Sequence, residues 1–112
     1  MASLRFIGLE VPFEAKQALR TLPTLEDSFE PVLAEVLNHI LGQPATHEAV
    51  RALQRSTALD SSTLGALLTG LDWLLRTCMR SSLKPKMLHA ELTDARVHPA
   101  CIEPILLAVE KG

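Results

Sequence analysis

Tyrosine is missing from this chain altogether, and one tryptophan and three phenylalanines are its only ring-bearing carbocyclic residues. With aromatics at 4% and valine and isoleucine sparse, the residue types that favour strands are scarce, which speaks against a β-rich fold. Cysteine is nearly absent too. Cys78 and Cys101 are too few for a disulfide framework, so a reducing cytosolic compartment is the default expectation. No apolar run reaches the roughly 20 residues that a membrane span needs. A secretory signal peptide is not expected either, because Met1–Val11 is interrupted by Arg5, Gly8 and Glu10. Nor is there an excess of positive charge. The formal net charge is −2, so no clustered surplus of Lys and Arg is available to displace phosphate counterions, and no nucleic-acid partner is expected.

What is present is leucine and alanine, in a chain of 112 residues that is 47% hydrophobic and 21% charged. Both residues are strong helix formers. A chain of this length makes one domain and can bury about two-thirds of its unfolded surface. Seven prolines and five glycines divide it into segments with helical period. A lead-in over 1–11 offers Leu4, Phe6 and Leu9 for packing in extended form. A short helix is expected from Pro12 to Leu22, ended by Pro23. Thr24 then opens a second, with Asp27 in a capping-box position and Phe29, Leu33, Val36, Leu37 and Ile40 as its stripe. Pro31 has to fall in its first turn or two, and Gly42 and Pro44 stop it. Thr46 caps a third helix bearing Val50 and Leu53. Asp60 or Ser61 caps the fourth and longest, to Arg80, with the most regular stripe: Leu64, Leu67, Leu68, Leu71, Leu74, Leu75 and Cys78. Lys84 and Pro85 start a fifth with Met87, Leu88 and Leu92, and His98 and Pro99 a sixth with Ile102, Ile105, Leu106 and Val109 inward. The expected fold is all-α, a compact orthogonal bundle of about six helices. No strand pattern competes and no segment repeats.

Motifs that carry chemistry are wanting: no nucleophile elbow, P-loop, dinucleotide fingerprint or HExxH sequence is found. The protein is therefore not expected to be an enzyme or to bind a cofactor. Glu30, Glu35, Glu48, Asp72 and Glu91 read as solvated helix surface, with Glu48–Arg51 and Asp72–Arg76 as pairs one turn apart. Cys78, His89, His98 and Cys101 supply two sulfurs and two imidazoles for an alternative in which the chain binds zinc or copper. Structural zinc sites, however, show tightly paired ligands, and Cys78 simply continues the leucine stripe. Arg76, Arg80, Lys84 and Lys86 form a basic run at the end of the fourth helix, where cations complement the helix dipole; the sharper alternative is contact with acidic headgroups. Trp73 is the most informative residue. At 100° per residue it points away from the leucine stripe, among the small side chains of Ala66, Thr69, Gly70 and Thr77. Either another helix packs closely on those small residues, or they floor an exposed groove with a tryptophan anchor for a partner.

The run Leu64-Gly65-Ala66-Leu67-Leu68-Thr69-Gly70, then Leu74-Leu75 and Ser82-Leu83-Lys84-Pro85, resembles the helical N-terminal domain of COMM-domain-containing proteins. Phe6-Ile7-Gly8 with Pro12 behind it, and Glu48-Ala49-Val50, are similar too. The likeness extends from about residue 4 to 110 and rests on leucine patterning more than on a functional signature. The family's C-terminal COMM domain, β-rich and announced by a Trp-x-Val-Asp-like stretch, has no counterpart, since the sole tryptophan lies in a helical pattern. The expectation is a single helical domain over 1–112 without the COMM domain. The resemblance implies a non-catalytic scaffold. Its partners would be other COMM proteins and long coiled-coil subunits of an endosomal cargo-recycling complex, with a further connection to nuclear factor kappa-B regulation. It also implies a cytoplasmic location, with endosomal association through partners rather than membrane insertion, and a nuclear presence. No catalytic or metal-binding residues are carried over from the family.

Overall fold

The computed structural model describes residues 5–43 and 46–111. A small hairpin, β1 (Arg5–Phe6) and β2 (Leu9–Glu10), leads into six helices among the described residues: α1 (Phe13–Leu25), α2 (Phe29–Ile40), α3 (His47–Thr57), α4 (Ser61–Ser81), α5 (Pro85–Asp94) and α6 (Pro99–Lys111). The fold is all-α apart from the hairpin.

Cap chemistry sets most of the boundaries. Thr46 accepts a hydrogen bond from the Ala49 N–H at 3.1 Å, and Asp60 Oδ1 accepts one from the Thr63 N–H at 2.7 Å, so each fills an orphan donor at a helix start. Pro85 takes the first position of α5, where its missing N–H has no partner to lose. At the end of α2 the Gly42 N–H donates to the His39 carbonyl at 3.1 Å and the Gln43 N–H to the Asn38 carbonyl at 2.9 Å. Gly42 sits there at φ +91°, which completes a Schellman ending. The other expected stop, Pro44, lies outside the described residues.

Four expectations are corrected here. Pro23 does not end α1, which continues to Leu25 with Pro23 exposed in its last turn. The lost bond is offset by burying Leu25 beside Leu22, a gain of about 1.5–3 kcal/mol for a fully buried leucine. Thr24 therefore lies inside α1, its hydroxyl donating to the Thr21 carbonyl at 2.6 Å, and no capping box with Asp27 forms. A single 3-10 turn, Glu26–Ser28, joins α1 to α2 instead, and the Ser28 hydroxyl fastens it to the Ser56 carbonyl at 2.7 Å. Met87, expected inward, is 54% exposed, because it stands about 100° around α5 from the buried Leu88. The lead-in pairs as a hairpin, with Phe6 opposite Leu9 and both turn residues at positive φ, Ile7 at 51° and Gly8 at 75°, as in the tight turns that join twisted strands. Phe6 is wholly buried, Leu9 is 52% exposed, and Leu4 lies outside the described residues.

The core is built around α4. Leu64, Leu67, Leu71, Leu74, Leu75 and Cys78 are buried on it, with Leu68 half-buried at the margin. Its most extensive neighbour is α1, with α2 and α6 alongside. The approach of α1 is close because Gly70 meets Ala15 and Ala18. A Cβ on Gly70 would lie 2.5 Å from the Glu14 carbonyl oxygen, 2.7 Å from the Ala18 Cβ and 2.9 Å from the Ala15 Cα, so only hydrogen fits. The cavity left in this seam is about 10 Å³. Phe29, Val32, Leu33, Val36 and Leu37 of α2 close another side, with Ile40 half-buried; Cys101, Ile102, Ile105, Leu106 and Ala108 do so from α6, with Val109 half-buried.

Candidate functional site

One helical turn beyond Gly70, α4 lies open. Thr69, Asp72, Trp73, Arg76, Thr77 and Arg80 follow the i, i+3, i+4, i+7, i+8, i+11 spacing of a single helix face. Together with Ser81 and the hairpin residues Ile7 and Leu9 they line an open groove of about 520 Å³. On the α2 side a second hollow of about 310 Å³ is lined by Glu35, Val36, His39, Leu68, Thr69 and Asp72. Thr69 and Asp72 are walls of both, so the two hollows run on from one another along α4.

Trp73 stands between the two alternatives drawn from the sequence. It is half-buried, and its ring meets that of Phe6 at a centroid distance of 6.2 Å and an angle of 58°. This tilted contact is a favourable aromatic geometry. The inner part of the tryptophan thus holds the hairpin down, while the rest forms the groove wall. The hairpin is held at a second point by Glu91, whose Oε2 accepts the Ile7 N–H at 3.1 Å. Glu91 is accordingly a tie between hairpin and α5 rather than the plain solvated carboxylate expected of it.

The groove has an apolar floor and charged ends. The Thr77 hydroxyl donates to the Trp73 carbonyl at 2.7 Å, and the Ser81 hydroxyl to the Cys78 carbonyl at 2.7 Å, so both are satisfied within the helix. Leu9 and Ile7 add aliphatic surface opposite Trp73. Arg76 Nε donates to both Asp72 oxygens at 3.0 Å, which joins one cation and one anion along the wall. Arg80 is exposed and makes no ion pair among the described residues. Glu35 gives the α2 end the opposite sign. The other expected pair, Glu48 with Arg51, does not close; both side chains stay exposed.

Of the residues named for a partner surface, Trp73, Thr69 and Thr77 come together in the groove, whereas Gly70 does not; it is sealed beneath α1. The basic run is divided. Arg76 and Arg80 belong to the groove, Lys84 precedes α5, and Lys86 lines a separate hollow between α5 and α6 with His89 and Glu103. The four alternative metal ligands are dispersed. Cys78 and Cys101 are buried, and burial pushes the Cys78 thiol up to about 12 and raises that of Cys101 as well. His89 and His98 are exposed, and His98 Nδ1 accepts the Ala100 N–H at 3.2 Å at the start of α6. Among the described residues no group of three or more Cys, His, Asp or Glu is placed to hold a metal ion. What sequence periodicity alone missed is the hairpin wall: Ile7 and Leu9 reach α4 across more than 60 residues of chain. The only signal for it was the short apolar lead-in ahead of Pro12.

Among the described residues, then, a six-helix fold carries an open groove of mixed charge along α4. The family model described as COMMD2-7/10, HN domain matches residues 9–102, and the chain belongs to the COMM-domain-containing protein family, of which it carries the N-terminal helical domain. In this family that domain serves interaction rather than catalysis. No curated protein and no solved structure gives a significant match. Among the described residues no helix is long and apolar enough to cross a membrane.

Proposed function

We propose that this chain is a docking element of a larger scaffold, and that the open face of α4 is where it docks. The observation that carries this is the groove of about 520 Å³ walled by a half-buried tryptophan and an exposed leucine, on a helix whose leucine stripe is packed into the core. Tryptophan is enriched among the residues that dominate binding energy, and a charged rim around an apolar floor is the usual anatomy of an interface. Within its family the sequence is read as resembling the fifth member. The assembly it implies is the endosomal cargo-recycling (Commander) complex, with other COMM proteins and long coiled-coil subunits as partners. The chain would then work in the cytoplasm, reach endosomes through those partners, and take part in nuclear factor kappa-B regulation.

The test is co-elution of the purified chain with purified coiled-coil subunits and COMM proteins on size exclusion, repeated with Arg80→Glu and Thr69→Arg. Both positions are exposed, so the fold should hold. The expected result is a stable complex that each variant weakens by about tenfold, the size of one lost interfacial charge contact or one steric block. A complex indifferent to both changes would move docking to another face, and no complex at all would contradict the scaffold role.

A further inference from the structure

We infer that the occupant of the α4 groove is a short amphipathic helix of mixed charge, acidic at one end and basic at the other, from a different polypeptide. The inference rests on the docking role proposed above and adds the chemistry of the partner.

The walls favour a helix over a strand. Side chains of α4 and α2 line most of the groove, and the hairpin wall has only two residues per strand, too short a row of backbone donors and acceptors to hold an added strand. Recognition must then be by side chains, as when a helix lies in a groove with apolar anchors at i, i+3 or i+4, and i+7. Length agrees. From Leu68 to Arg80 the groove follows α4 for about 18 Å, which about 12 residues of helix would span. Charge sets the polarity. Arg76 and Asp72 engage one another, so Arg80 leaves the Trp73 end cationic, whereas Glu35 leaves the α2 end anionic. A uniformly acidic helix would be repelled at one end and a uniformly basic one at the other; only a dipolar helix suits both. Leu9 and Trp73 between the ends provide the apolar contact.

Trp73 is its own reporter, since the chain has one tryptophan and no tyrosine. The probe is a helical peptide of about 14 residues with Glu in the first turn, Lys in the last and Leu at i, i+4 and i+7. It is compared with all-Glu and all-Lys versions on the same leucine frame. The expected result is a saturable blue shift of Trp73 emission, with the mixed peptide binding about tenfold more tightly than either control. Arg80→Glu should weaken the mixed peptide by a similar factor and improve binding of the all-Lys one. Equal affinity for all three peptides, or no shift with any, would overturn the inference. So would a blue shift on self-association of the chain, which would make a second copy the occupant, or a tighter response to phosphatidylserine vesicles, which would make it a membrane surface. If coiled-coil subunits still co-elute while no peptide shifts the emission, the docking role stands and only the partner's chemistry is wrong.

Discussion

Gly70 and Trp73 are three residues apart on one helix, about 60° around its axis, and they meet opposite surroundings. At Gly70 the seam with α1 leaves a cavity of about 10 Å³; at Trp73 the groove holds about 520 Å³. Both positions belong to a back face of small residues, and small residues alone do not say which of the two will result. The neighbour decides. Ala15 and Ala18 give α1 a surface flat enough to close on Gly70, whereas the hairpin reaches Trp73 with one buried ring, Phe6, and leaves Leu9 outside. One helix therefore supplies both the stability of the module and its open surface, and a substitution on one side should act differently from one on the other.

The largest effect is expected on the sealed side. Gly70→Ala places a methyl against backbone atoms that cannot move aside, and should lower stability by about 2–3 kcal/mol, or about 10 °C in Tm, by thermal denaturation. Trp73→Ala removes only a half-buried side chain and its contact with Phe6. It should lower stability by about 1–2 kcal/mol while abolishing partner binding. If it instead proves as destabilising as Gly70→Ala with binding kept, the two sides are alike and Trp73 is core. Gly65→Ala sharpens the contrast from the same helix. Nothing lies within 4 Å of the added methyl, so helix propensity alone operates and stability should rise by up to about 1 kcal/mol.

The smallest effect concerns the start of α4. The Thr63 N–H holds the exposed Asp60 carboxylate below the usual value of 3.8. Its contribution is complete above the unfolded value and disappears as pH falls through the folded one. Asp60→Asn keeps a capping oxygen but cannot titrate, so its Tm should fall less than that of the parent chain between pH 4 and pH 2. Parallel acid limbs for the two proteins would show that the cap does not depend on charge.

How much of this was legible follows from which residues speak locally. Thr46, Asp60, Pro85 and Pro99 announce helix starts through their own chemistry, and four of the six helices begin where they say. Pro23 misleads, because a proline breaks a helix only when nothing compensates, and Leu25 is buried by a tertiary contact no local pattern reveals. The hairpin is illegible for a similar reason. Two residues per strand carry no alternation, and its turn places Ile7 at positive φ, without the Asn-Gly or Asp-Gly sequence that signals such turns. In the groove, helical period alone aligns Thr69, Trp73 and Thr77. Gly70 shares that back face in sequence but falls on the α1 side in space, and Ile7 and Leu9 join only through the tertiary fold.

The most direct test of the central claim is the emission of Trp73 as a purified coiled-coil subunit or COMM protein is added to saturation. A blue shift that tracks complex formation is the predicted result, because docking on the open face of α4 removes the exposed part of the indole from water. A stable complex with Trp73 emission unchanged would place the interface elsewhere and contradict the account.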